Sequence, residues 1–131
     1  MKQPQESLQA VIFDLDGTLV DTAAEFVVVV QALRAEHGRE PMNPERIRAS
    51  VSNGARSLVT LGLDLPEEAE GFETQRLRLL ELYAEVLGSV ARPYPGITEL
   101  LAELEQRGIS WGIATNKPRY LTEPLLQRLD I

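Results

Sequence analysis

A short apolar run, Ala10-Val11-Ile12-Phe13, ends abruptly on Asp14-Leu15-Asp16-Gly17-Thr18, and a second, Ile109 to Ala114, ends on Thr115-Asn116-Lys117. Each reads as a buried strand whose carboxyl end carries polar groups. Strands separated by helical sequence pair in parallel through crossovers. The two runs therefore point to an α/β layer with its ligand site at the carboxyl ends of the strands. The interval between the runs is too long for a single crossover helix, so a further unit is inserted there.

The first run also carries a chemistry. Acids at i and i+2 of an extended segment lie roughly 6.5 to 7 Å apart at Cα and point to the same side. Two like charges that close repel unless a cation lies between them, and hard carboxylate oxygens beside a phosphate suit Mg²⁺. Gly17 permits a tight exit from the strand, and Thr18 offers a hydroxyl to orient the acids. An acidic β-turn chosen for turn geometry alone would share the Asp and Gly. It would not require the apolar strand before them or Leu19-Val20-Asp21-Thr22 after them.

Along the chain, Gln9 to Asp14 is the first expected strand. Asp21-Thr22 then cap a helix that runs to about His37 and stops at Gly38. Phe26-Val27-Val28-Val29-Val30 favours a strand by propensity, and the caps and the length argue for helix. His37, the only histidine, suits a helix carboxyl end, where it complements the dipole. Asn43-Pro44 starts a short helix to about Val51, Ala55 to Gly62 forms another, and Leu65-Pro66-Glu67-Glu68 opens a third. Leu77, Leu80, Tyr83, Ala84 and Leu87 recur at helical spacing and form an expected core stripe. Pro93-Tyr94-Pro95-Gly96 is the strongest break in the chain. Beyond it, Ile97, Leu100, Leu101 and Leu104 mark a helix stopped by Gly108. Pro118 starts a last helix through Leu121, Leu125, Leu126 and Leu129. Everything from Asp21 to Arg92 is expected to be helical.

Composition excludes several classes. With 131 residues, 44% of them apolar, the chain can build one domain or two small lobes. A net charge of −7 argues against nucleic acid and anionic membranes, which need a basic face. The absence of cysteine excludes disulfides and thiolate metal sites. No secretory signal is read in Met1 to Gln9, and no segment approaches the ~20 apolar residues of a membrane span, so a cytoplasmic setting is the default expectation.

Asp14 to Thr18 resembles the DxDG[TS] signature of haloacid dehalogenase (HAD) superfamily phosphatases, and Thr115 matches the second signature of that superfamily. Within it, DLDGTLVDT, the PYPG break and ATNKP look most like the phosphoglycolate phosphatase group. Asn53 to Leu58, NGARSL, is similar to bacterial relatives that hydrolyse N-acetylmuramic acid 6-phosphate. The resemblance implies a HAD-like Rossmann-type parallel sheet, incomplete with two strands present, built from residues 8–20 and 93–131. It also implies an inserted all-helical cap at 21–92.

It further implies that Asp14 is the nucleophile and Asp16 the general acid and base. Mg²⁺ would be held by the Asp14 carboxylate and the Asp16 carbonyl, and the phosphoryl oxygens by Thr115 and the Asn116 backbone. Asn53, Gly54 and Arg56 become candidates for contact with a small phosphorylated metabolite, although a solvated helix charge is the simpler description of Arg56. The acid at position 16 speaks against a dehalogenase.

The third signature of the family, a Lys, and the fourth, an acidic pair, have no counterpart before Ile131. Lys117 belongs to the neighbourhood of the second signature and does not replace the missing Lys. The expectation is an amino-terminal piece of a phosphatase of roughly 220 residues, with little activity and a weak hold on Mg²⁺. The bare face and unpaired edge of its incomplete sheet would invite self-association. Two alternatives remain open: a phosphosugar mutase of the same superfamily, and an inactive binding module.

Overall fold

The computed structural model describes residues 7–131. Strand β1, Ala10–Phe13, pairs in parallel with β4, Ser110–Ile113, in the register Ala10–Ser110 to Phe13–Ile113. The pleat sorts their side chains by face. Val11, Phe13, Trp111 and Ile113 pack on the hydrophobic core, whereas Ala10 and Ser110 are exposed and Ile12 retains 66% of its accessible surface.

Helix α5, Ile97–Gln106, buries Leu101 and Leu104 and turns back into β4 through Gly108. Gly108 lies at φ 69°. There the Ile109 N–H reaches the Leu104 carbonyl at 2.9 Å and the Gly108 N–H reaches Glu105 at 3.1 Å, which satisfies the carbonyls at the helix end. Helix α6, Arg119–Leu129, sends Leu121 and Leu125 into the same core.

Between the two parallel strands lie α1 (Ala23–Glu36), α2 (Pro44–Ser50), a 3₁₀ turn (Val51–Asn53), α3 (Ala55–Leu63) and α4 (Phe72–Val86). In α1 tertiary packing overrides strand propensity. Phe26, Val29, Val30 and Leu33 are buried at i, i+3, i+4 and i+7, and each apolar side chain removed from water contributes about 1.5 to 3 kcal/mol. Helix α2 begins as expected: Asn43 Oδ1 accepts the Glu45 N–H at 3.0 Å and proline occupies the first turn. His37 follows α1 on the surface, where its Nε2 pairs with Gln75 Oε1 at 2.9 Å.

Four expectations need correction. Pro66 to Glu68 open a turn instead of a helix, and α4 begins only at Phe72. The buried face of α4 is Phe72, Leu79, Leu80, Leu82 and Tyr83, while Leu77 and Ala84 are exposed. Leu80, Tyr83 and Leu87 are buried as the helical spacing predicts, and the face is rotated toward Leu79 and Leu82 and away from Leu77 and Ala84. Residues 21–92 are not helical throughout, because Val20–Asp21 (β2) and Arg92–Pro93 (β3) form a short antiparallel ribbon where the chain enters and leaves the helical segment. Finally, Thr22 does not cap α1 with its side chain; Asp21 Oδ1 accepts the Ala23 N–H at 3.2 Å.

The ribbon is reinforced from inside. Glu25, in the first turn of α1, is 1% exposed, and its carboxylate accepts the backbone N–H groups of Gly88 (3.0 Å), Val90 (2.9 Å) and Ala91 (2.6 Å). This ties the start of the helical segment to its end. Arg128 of α6 donates to the Leu87 carbonyl beside it.

Candidate active site

After Phe13 the chain stops pairing and coils tightly. The Leu15 carbonyl accepts the N–H groups of Thr18, Leu19 and Val20 at 3.0 to 3.2 Å, and Gly17 N–H reaches the Val20 carbonyl at 3.0 Å. The coil requires φ 79° at Gly17, a region costly for side-chain-bearing residues. It leaves Asp14 exposed at the strand tip and draws Asp16 inward until its side chain is 16% exposed. On the neighbouring strand the Ala114 N–H continues the ladder to the Phe13 carbonyl at 2.9 Å and so brings Thr115 alongside Asp14. Thr115 Oγ1 accepts the Lys117 N–H at 3.1 Å, which fixes the loop that carries Asn116.

These residues converge. A cavity of about 110 Å³ lies between the strand tips and the helical segment, with Asp14, Asp16, Thr115, Asn116 and Lys117 on its polar side. Phe26, Val51, Leu80, Tyr83 and Leu121 supply the apolar side. Asp14, Thr115 and Asn116 also border an open groove on the other flank, along Arg119, Thr122 and Glu123. Of the three residues expected to meet substrate from the helices, Gly54 lines the cavity, together with Ser52 and Ala55. Asn53 and Arg56 are exposed, and the Arg56 guanidinium sits 5.9 Å from the centre of the Phe72 ring.

Sequence reasoning missed three participants. Thr18 is exposed, and the hydroxyl that orients an acid is instead that of Thr22, which donates to Asp16 Oδ1 at 2.9 Å. Lys117 is a closer neighbour of the acids than its place after the second signature suggested, since its Nζ lies 3.1 Å from Asp16 Oδ1. Tyr83, assigned to a core stripe, is fully buried and presents its hydroxyl to Lys117 Nζ at 2.6 Å. A signal for it existed: a tyrosine among buried leucines must find a partner for its hydroxyl.

The electrostatics follow from burial. Desolvation pushes the Tyr83 phenol well above its ordinary range, and the charges of Asp16 and Glu25 push the same way. Desolvation pulls the Lys117 ammonium below its ordinary value, against the charge and hydrogen bond of Asp16.

For Mg²⁺ the donors are right in kind and few in number. Asp14 Oδ1 already accepts the Leu15 N–H at 2.8 Å and Asp16 Oδ1 takes two donors, which leaves Asp14 Oδ2, Asp16 Oδ2 and the Asp16 carbonyl. No cluster of three or more His, Asp or Glu ligands occurs among the described residues. Mg²⁺ can be held through one or two carboxylates with water and substrate phosphate completing the shell, so the set fits a weakly held ion.

Comparison with known proteins finds relatives that match most of the chain. The chain is 46% identical over 122 residues to the N-acetylmuramic acid 6-phosphate phosphatase of Pseudomonas aeruginosa, which covers 93% of the chain and 54% of that protein. It is 36% identical over 121 residues to the phosphoglycolate phosphatase of Xanthomonas campestris, covering 92% of the chain and 54% of that protein. The chain thus spans about half the length of the curated relatives it matches. The crystal structure of a "predicted phosphoglycolate phosphatase" from Haemophilus somnus superposes with a TM-score of 0.81 at 24% identity, over 93% of the chain and 57% of that structure, a likeness of fold. Residues 11–131 match the family model described as haloacid dehalogenase-like hydrolase, and the chain belongs to that family.

Proposed function

We propose that this chain carries the nucleophile-bearing part of a phosphomonoester hydrolase, with α1 to α4, residues 21–92, acting as a cap over a core formed by residues 8–20 and 93–131. The observation behind this reading is the convergence of Asp14, Asp16 and Thr115 to Lys117 on one cavity at the carboxyl ends of two paired parallel strands. The family assignment and the names of the curated relatives support a small phosphorylated metabolite as substrate, phosphoglycolate or a sugar phosphate.

Asp14, exposed at the strand tip, attacks phosphorus. The ester P–O bond breaks as the acyl phosphate forms, and Asp16 gives its proton to the departing alkoxide. Water then attacks the acyl phosphate while Asp16 takes a proton from it. The side chain of Asp14 is restored and inorganic phosphate leaves. The Thr115 hydroxyl and the Asn116 N–H receive the phosphoryl oxygens as charge builds on them. Mg²⁺, held by Asp14 and the Asp16 carbonyl, would neutralise part of that charge.

The experiment is a paired assay with a phosphate ester and purified chain. Phosphate release that vanishes in Asp14→Asn supports the reading, and release of an isomerised sugar phosphate without free phosphate would replace it with a mutase.

A further inference from the structure

Lys117 is the one cation among the described residues that line the enclosed cavity, and the reaction scheme above gives it no task. Its side chain is 3% exposed, so the ammonium has exchanged water for four neighbours. These are Asp16 Oδ1 at 3.1 Å, the Tyr83 hydroxyl at 2.6 Å, and the rings of Tyr83 and Phe26 at 4.1 and 5.0 Å from their centres. Phe26 and Tyr83 are themselves stacked, with centroids 4.2 Å apart and planes at 18°.

The neighbours divide between two parts of the fold. Asp16 and Lys117 follow β1 and β4, whereas Phe26 lies in α1 and Tyr83 in α4. Thr22, at the entry to α1, is the second donor to the same Asp16 oxygen, at 2.9 Å. Both donors therefore grip Oδ1, and Oδ2 accepts no hydrogen bond among the described residues. A buried ion pair by itself is poor evidence for a gain in stability, because desolvation offsets the attraction. What this pair does fix is the orientation of one carboxylate.

We infer that Lys117 is a positioning residue for Asp16, and that its grip depends on the helical segment. Tyr83 and Phe26 hold the ammonium, the ammonium and Thr22 hold Oδ1, and Oδ2 is left to exchange the proton with the leaving group. The inference rests on the proposed role of Asp16 as acid and base.

Two measurements separate it from that proposal. The first is the carboxyl ¹³C resonance of Asp16 in the 131-residue chain as wild type, Lys117→Met and Tyr83→Phe. Tyr83 does not bond Asp16, so movement of the resonance in both variants is the expected result; an Asp16 signal unchanged in Tyr83→Phe overturns the coupling to the helices. The second is turnover of p-nitrophenyl phosphate, whose leaving oxygen needs no proton, against glycerol 2-phosphate, whose leaving oxygen does. Lys117→Met is expected to lower kcat on the alkyl ester at least ~30-fold more than on the aryl ester, with KM within about twofold. An equal loss on both esters overturns the positioning role. If the wild type releases phosphate from neither ester, the hydrolase reading fails, and the resonance alone decides whether Lys117 and Tyr83 hold Asp16.

Discussion

The carboxylate of Glu25 accepts the backbone N–H of Ala91 at 2.6 Å across the junction where the helical segment begins and ends. Two more N–H groups, of Gly88 and Val90, share the same side chain. In Glu25→Ala all three donors lose their partner at once, and a buried donor left unsatisfied costs about 1 to 3 kcal/mol. Because the Ala91 N–H is buried and the other two are only partly so, the expected loss in urea unfolding is about 2 kcal/mol. Glu25→Gln keeps one acceptor oxygen and is expected to lose less.

Tyr83 and Lys117 are expected to move stability in opposite directions at alkaline pH. Its phenol is raised above the ordinary value of 10.0 in the folded chain, so above about pH 10 the unfolded chain loses a proton that the folded chain keeps. The stability that this group contributes is complete below pH 10 and falls as pH climbs. Lys117 acts in the opposite sense: its pKa is lowered from 10.5, so just below that pH the unfolded chain holds the extra proton and stability rises with pH. Above pH 10.5, where the Lys117 contribution has levelled off, melting temperatures are expected to fall with pH in the wild type and to fall less in Tyr83→Phe.

Ile12 presents an apolar side chain, 66% exposed, on the open face of a two-stranded sheet. We expect weak, concentration-dependent self-association through this face, visible by sedimentation velocity. Ile12→Lys should shift the distribution to monomer with little effect on the melting temperature.

Gly17 tests the coil that presents the acids. A Cβ there would lie an acceptable 3.6 Å from Ser52 Cβ, so the cost of Gly17→Ala is the strain of φ 79° alone. About 1 kcal/mol of destabilisation is expected. A drop in phosphate release greater than the loss of folded protein would show that the coil also places Asp16.

Much of this organisation was legible in the sequence because it is local. The strand tips at Asp14 and Thr115, the Asn43-Pro44 helix start and the Gly38 and Gly108 stops each depend on a few adjacent residues. What escaped depends on contacts far apart in the chain. Lys117 meets Tyr83 across 34 positions and Glu25 meets Ala91 across 66, and neither pairing has a spacing rule. The helical start misplaced at Pro66 reflects a proline whose turn and helix roles look alike until the packing of Phe72 decides.

The proposed mechanism stands on Asp14 as the nucleophile toward phosphorus. Phosphate release from p-nitrophenyl phosphate by the purified 131-residue chain with excess Mg²⁺, compared between wild type and Asp14→Asn, tests it most directly. Slow but measurable release by the wild type and a loss of at least ~100-fold in the variant are expected. Equal release by the two proteins, or none above buffer from the wild type, would contradict it.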